Sequence, residues 1–578
     1  MCGLFGSVGL ALTAAQQHAA LMALRSRGPD SQGQWQAGPA TLLHTRLAIQ
    51  DLSPLGHQPM TTVSGDLVLV FNGEIYNQRQ LRQELENLGC HFQSHSDTEV
   101  LLQGLRLWGA DLWARLNGIF AVAAWEPQRQ RLTLARDGFG IKPLLWQRTA
   151  SSCSFGSELS AFEATGLASR RQLNPEALRS FSYWGSVAAP ASLLAGVEVF
   201  PAGQWGQWSP GERWRMEPFS EACRRAERTN TPTSVEQASQ AVGQALQQAV
   251  ARQIIGDVPV GLFLSGGLDS GLLAALLREQ QGGGPIHSIS VGFTGLPGAV
   301  DESDLAEATA RQLQLQHRTL RIGRQDLEDS FDGFLEAIDQ PSIDGFNSFL
   351  VARAAAAGGM RVAFSGLGAD ELFGGYGHMG RLQASRLLQA RRIHSHGLPA
   401  RYQRQLQQQR AALVTNLHCQ SPQQQPVPLS TSSRLELAGY LQDTLLRDGD
   451  AVTMHHGLEL RVPFLDRELV QLALALPETL QRAEGPKTLL RRLAAQRLPE
   501  QVLNAPKRGF NLALAPWLLE SRRFRPRRLQ TLLHQQLQPQ GLRISRRALW
   551  SSWALLRSTG RWGPYWRWVV LAEWLAHG

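Results

Sequence analysis

The stretch DLVLVFNGEIYN (66–77) is an apolar run that predicts a short buried strand ending in an Asn-Gly turn. GIFAVAAWEPQRQRLTLARD (118–137) sets two strand-like runs around a polar, proline-containing segment, which predicts a hairpin. Between them, NQRQLRQELENLG (77–89) and TEVLLQGLRLWG (98–109) return apolar residues every three or four positions, the helical period. Residues 1–160 therefore predict sheets with packed helices. The pattern loosens over 160–230, where FPAGQWGQWSPGERW gathers Gly, Pro and Trp.

From about 235 the periods alternate. Helical SVEQASQAVGQALQQAVARQII leads to a buried strand, VPVGLFL (258–264), and SGGLDSGLLAALLREQ reads as a loop entering a helix. A strand (PIHSISVGF, 285–293), a helix (about 302–314), a strand near 317–322 and a helix (about 347–357) follow. They lead to MRVAFSGLGADELFGGY. This alternation predicts a parallel, doubly wound α/β sheet. Beyond about 380 the pattern is nearly all helical, and no internal repeat occurs. The Gln-rich stretches (402–409, 422–425, 535–540) read as surface or loop.

Composition narrows the class. The 578 residues suit two to four domains, and 43% hydrophobic with 18% charged residues is ordinary for a globular protein. No basic stretch followed by an apolar one opens the chain, so no signal peptide is expected. No run approaches the roughly 20 apolar residues of a membrane span. The five cysteines (Cys2, Cys90, Cys153, Cys223, Cys419) are odd in number and lack CxxC spacing, which argues against a disulfide framework or zinc and for a reducing cytoplasm. The net charge of +9 raises nucleic acid as a partner, but the densest basic run, SRRFRPRRLQ (521–530), has few interleaved aromatics and reads as a solvated face. Only Lys142, Lys487 and Lys507 are lysines; every other fixed cation is arginine. A compact ammonium kept against that drift marks a position worth examining.

Two glycine-rich loops carry candidate chemistry. SGGLDS (265–270) follows a strand and opens a helix, so backbone amides and a helix N-terminus can face an anion. It is not a Walker A loop, since the chain has no GK[ST]. SGLGADELFGGY (365–376) follows a later strand, and loops at the carboxyl ends of parallel strands flank one crevice. Asp269 and Asp370 could share Mg2+ with a polyphosphate there.

These loops, with LLRDGDAVTMHHGLELRVPFLDREL (445–469), PKTLLRRL and PKRGF, resemble the pyrophosphate-releasing ATP domain of the asparagine synthetase family. The resemblance implies a PP-loop domain that transfers AMP from ATP to a carboxylate. Leu264, Val291, Ser365 and Gly366 would contact the nucleotide, Ser265, Gly266, Gly267 and Ser270 would cradle pyrophosphate, and Lys487 would hold the phosphates. At the front, MCGLFG, RGPD (27–30), HTRLAIQDLSPLGHQPM (44–60), NGEIYN (72–77), SDTE (96–99) and RDGFGIKPL (136–144) occur in order. Together they resemble the family's N-terminal-nucleophile (Ntn) glutamine amidotransferase domain, an αββα sandwich.

With Met1 removed, Cys2 would act as nucleophile and its own α-amine as base; the reference values, about 8.5 and about 7.7–8.0, allow that transfer near neutrality. Arg46 would hold the glutamine α-carboxylate, with Leu47, Ala48, Ile49 and Gln50 beside it. Glu74 and Asp97 would hold the ammonium, and the Asn72 side chain and Gly73 amide would bind the oxyanion. Lys142 is given no catalytic role, and the remaining cysteines read as buried or incidental thiols.

The expected division is a glutaminase domain at 1–210 and a synthetase domain at 230–578. The resemblance implies glutamine, ATP and a carboxylate as small-molecule substrates, no nucleic-acid or membrane partner, and a homodimer. Leu367 stands where asparagine-forming relatives carry an acid in the second loop, and QPSIDGFNSF (340–349) differs from their aspartate-recognising stretches. The expected acceptor is aspartate; the alternative is another carboxylate, such as a sugar acid or secondary metabolite.

Overall fold

The computed structural model describes residues 2–219, 232–282, 284–296, 301–377, 379, 429–506 and 512–577. Lys507, Cys223, Cys419 and the Gln-rich stretches at 402–409 and 422–425 lie outside them.

The N-terminal part contributes twelve strands: β1 (Cys2–Val8), β2 (Ser31–Ala37), β3 (Ala40–Arg46), β4 (Met60–Thr61), β5 (Val68–Ile75), β6 (Gly118–Glu126), β7 (Arg131–Arg136), β8 (Leu145–Arg148), β9 (Cys153–Gly156), β10 (Glu198–Val199), β11 (Gln204–Trp208) and β12 (Arg215–Pro218). They form two six-stranded sheets, ordered β10-β8-β9-β1-β3-β2 and β12-β11-β7-β6-β5-β4. Alternation along each strand separates two faces. Leu4, Val8 and Leu42 of the first sheet meet Val68, Val70, Ala121 and Trp125 of the second in a shared core. The opposite faces bury Phe5 and Leu43 against Leu21 and Phe162, and Phe71 and Val122 against Leu81 and Val100. Helices Ala14–Ala23 and Leu159–Ala164 therefore cover one side, and Gln78–Asn87 and Asp97–Trp108 the other. The layering is αββα.

The expected Asn-Gly turn is absent. β5 runs straight through it, with Asn72 opposite Ala121 and Gly73 opposite Phe120 in the antiparallel ladder. Asn-Gly signals a turn only where the strand has nowhere to continue. Here Gly73 has φ +157° and a Cβ would lie 2.0 Å from the Ile119 carbonyl oxygen, so glycine is required by strand contact.

The C-terminal part is built on a parallel sheet: β13 (Val260–Phe263), β14 (His287–Phe293), β15 (Gln316–Ile322), β16 (Val362–Phe364) and β17 (Glu459–Arg461), ordered β15-β14-β13-β16-β17. Helices Leu268–Gln281, Ser303–Gln312 and Phe346–Ala357 agree with their expected positions. Helix Arg324–Ala337 and strand β17 were not expected. β17 escapes a hydrophobic pattern because two of its three residues, Glu459 and Arg461, are charged, paired and fully buried. The strand order reverses between β13 and β16, and both glycine-rich loops leave the carboxyl ends of those neighbours.

Candidate active sites

Cys2 starts β1, opposite Arg46 at the end of the neighbouring strand β3, which places the thiol and the guanidinium at the same end of the sheet. The Cys2 backbone nitrogen donates to Asn72 Oδ1 at 3.0 Å, while Asn72 Nδ2 is buried without a hydrogen-bond partner. A buried amide NH2 left unpaired is costly unless a ligand takes it, and an oxyanion beside Cys2 is such an acceptor. Burial pushes the Cys2 thiol up, against the lowering effects of the amino terminus, the Leu47 amide and Arg46. A neighbouring base is therefore needed to form the thiolate.

The other glutamine-side residues surround this point. Arg46 donates to the Ser53 carbonyl at 2.9 Å and to the Asp51 carbonyl, so the following turn holds its guanidinium. Gln50 donates to Glu74, Ala48 donates its amide to Asp30, and the Leu47 and Ile49 side chains are buried in the apolar core of the C-terminal part. Asp97 accepts from the Ile75 amide at 3.0 Å, and burial raises its carboxyl to about 6. Burial also raises Glu74, reinforced by Glu459 and Asp97. Because a carboxylate must be ionised to hold an ammonium, the KM for glutamine is expected to rise as pH falls through about 6. A pH profile of glutamate release measures this, and Asp97→Asn should remove the component centred near 6.

The nucleotide side gathers at the two loops. Leu264 and Val291 are buried, and Leu264 donates to the Ile289 carbonyl at 2.8 Å. Ser265 and Ser270 share a 2.8 Å hydroxyl contact across the first loop. Gly266 is needed for packing: a Cβ would lie 2.8 Å from Glu302. Gly267 caps the following helix, and Gly366 lies against Asp269. Lys487 Nζ lies 2.6 Å from Asp269 and 2.5 Å from Asp370. Burial alone would lower this ammonium, but the two carboxylates outweigh it and raise it. Gly375 makes the triad possible, since a Cβ there would lie 1.8 Å from Asp370 Oδ1. Lys487 itself sits at φ +56°, a conformation costly for lysine.

Asp269 Oδ1 is buried without a hydrogen-bond partner. Two convergent carboxylates with an unpaired oxygen fit Mg2+, which binds through one or two carboxylates plus phosphates. No group of three His, Cys, Asp or Glu able to hold a metal occurs among the described residues.

A third cluster joins the two halves. Arg27 donates to the Cys2 carbonyl at 3.2 Å, to Glu158 at 2.8 Å and to Asp450 at 2.7 Å, and Lys142 reaches the other Asp450 oxygen at 3.1 Å. All four partners are buried or nearly so. Burial would raise Asp450, but Arg27 and Lys142 hold it below the usual carboxylate range. The sequence offered RGPD, RDGFGIKPL and the 445–469 stretch as separate motifs, with no local pattern to join them. Asp450→Asn is expected to cost about 3–5 kcal/mol, because two buried cations lose their anion. Thermal unfolding reads this. Since the folded-state value is depressed, the wild-type contribution is present above the ordinary Asp range and lost as pH falls through the lowered value.

β17 makes a parallel connection. The Arg461 carbonyl accepts from the Ser365 amide at 2.9 Å, its guanidinium bonds Glu459 at 2.5 Å, and Nη2 lies 3.7 Å from Glu74. One residue thus touches the second glycine-rich loop and the glutamine pocket.

A buried thiol at the start of an αββα sandwich, joined to a crevice flanked by two glycine-rich loops, fits a glutamine amidotransferase coupled to an ATP-dependent ligase. The Asparagine synthase family matches residues 241–576, and the Glutamine amidotransferase domain matches 1–219. The chain belongs to the asparagine synthase family. It is 29% identical over 535 residues to asparagine synthetase [glutamine-hydrolyzing] 1 of Bacillus subtilis, covering 85% of this chain and 83% of that one. A putative asparagine synthetase [glutamine-hydrolyzing] of Mycobacterium bovis is 29% identical over 584 residues, covering 90% and 88%. The amidase chry2 of Gibberella zeae is 29% identical over 367 residues, covering 61% and 54%. No helix among the described residues is long and apolar enough to cross a membrane.

Proposed function

We propose that this protein is a glutamine-hydrolysing asparagine synthase: it adenylates aspartate with ATP, releases pyrophosphate and displaces AMP with ammonia drawn from glutamine. The observation that carries the glutaminase half is Asn72, whose Oδ1 holds the Cys2 nitrogen while its Nδ2 is buried and unpaired. Once Met1 is removed that nitrogen is a free amine, oriented by Asn72 and beside the thiol whose proton it takes. Cys2 attacks the glutamine amide carbon, and Asn72 with the Gly73 amide receives the oxyanion. Arg46 takes the α-carboxylate, and Glu74 and Asp97 take the α-ammonium. This work falls to 1–210, and activation to 230–578.

In the crevice, adenylation converts an oxide leaving group into AMP. Lys487 places its charge where the α-phosphate is attacked, and the Ser265–Ser270 loop holds the departing pyrophosphate. Asp269 and Asp370 would hold Mg2+, which neutralises phosphate charge when bound. Ammonia crosses the interior between the sites. A homodimer belongs to the same reading and is checked by sedimentation.

Leu367 favours a second reading, amidation of a different carboxylate. Its side chain packs on the apolar core of the synthetase part, and nearby Asp344 is engaged by Tyr440 at 2.6 Å. Pyrophosphate release, measured with ATP, Mg2+, glutamine and a panel of carboxylates, separates the readings. Dependence on aspartate, with asparagine formed, supports the first. Release that ignores aspartate and follows another carboxylate establishes the second.

A further inference from the structure

The charge of this chain is concentrated at one end. Residues 521–578 hold eleven arginines and a single acid, Glu573, a net +10, while residues 1–520 sum to −1. Glu573 is already bonded by Arg523 and Arg528. Arg543, Arg546 and Arg547 are exposed and meet no carboxylate among the described residues. Such an uncompensated field favours an anionic partner and speeds its encounter.

The same region contains a groove of about 390 Å³ between helices Pro526–Leu537 and Arg546–Thr559. Its floor is aliphatic, from Leu533, Leu537 and Leu549, and Ile544 stands half-buried in its wall. Arg543 and Arg546 lie on its rim. Catalysis as described above uses none of these residues.

We propose that this groove docks an acidic, amphipathic segment of a partner protein, with apolar side chains on the leucine floor and carboxylates on the arginine rim. Helix-in-groove binding pairs these two features. A nucleic acid fits less well. Bases stack on exposed aromatic rings, whereas Trp553, Trp566 and Trp574 of this segment are buried and the exposed Trp550 donates its indole N–H to Gln530 at 3.0 Å. A second copy of this chain would bring another +10 segment, so charge opposes docking of that segment.

The test uses the full-length protein and fluorescence anisotropy. The probe is a labelled peptide of about 15 residues, glutamates with leucines at helical i, i+3, i+4 spacing. Three controls accompany it: the same composition with the leucines scattered, a lysine-for-glutamate version, and an oligothymidine of matched charge. Expected is saturable binding of the glutamate–leucine peptide, weakened at least about tenfold by scattering the leucines, by Ile544→Glu, and by joint Arg543→Glu and Arg546→Glu. Salt should weaken it too. The proposal is overturned if the peptide does not bind, if the oligothymidine binds more tightly, or if the exposed-arginine double variant, folded by its unfolding curve, binds as well as wild type.

Discussion

Replacing Cys2 with alanine is expected to lower glutamine hydrolysis at least ~10³-fold and leave ammonia-dependent synthesis within about twofold of wild type. The asymmetry follows from the architecture. Cys2 supplies the attacking sulfur, and nothing in the pocket replaces it, since Arg46 and Asn72 bind without bond formation. Its removal takes little else away: Arg27 donates to the Cys2 carbonyl, a backbone atom alanine retains. The crevice at Lys487 receives ammonia whatever its source. Glutamate release, and pyrophosphate release driven by glutamine or by ammonium chloride, measure both halves. A folded variant that has lost both activities would contradict the assignment of tasks.

The mirror-image result is expected at Lys487. Lys487→Gln should reduce acceptor-dependent pyrophosphate release ~10²–10³-fold, the usual cost of removing a preorganised charge from a transition state, and leave basal glutamine hydrolysis intact. The substitution also leaves Asp269 and Asp370 facing each other without the ammonium between them. Like charges so placed raise each other's affinity for a cation, so the variant should reach its residual activity at lower Mg2+ than wild type. A Mg2+ titration reads that shifted midpoint, which misfolding would not produce.

Much of this was legible in the chain. β6 and β7, the helices after β5 and the β13-to-β15 alternation follow their periods, because each buries one face or both. The glycine-rich loops were legible as spacing, and Cys2, Arg46, Asn72, Glu74 and Asp97 were drawn together only by resemblance to a known order of motifs. Two kinds of feature were not legible. Asn-Gly inside β5 carries a turn signal that the tertiary ladder overrides. β17 carries charge where a buried strand is expected to be apolar, and one neighbour of Arg461, Glu74, lies hundreds of positions away. Lys142 had been singled out by rarity alone; its partner Asp450 is 308 positions downstream, a distance no local pattern reports.

That separation also bears on time. During synthesis Arg27 and Lys142 emerge 423 and 308 residues ahead of Asp450, a wait on the order of tens of seconds at ordinary elongation rates. Until then the glutamine pocket lacks Arg461 beside Glu74, and the arginine that grips the Cys2 carbonyl lacks its principal anion. A ribosome that stalls midway therefore releases a half-finished pocket. The last strand laid into the parallel sheet also completes the first site, so a chain completes its glutamine pocket only after both glycine-rich loops of the crevice have been made.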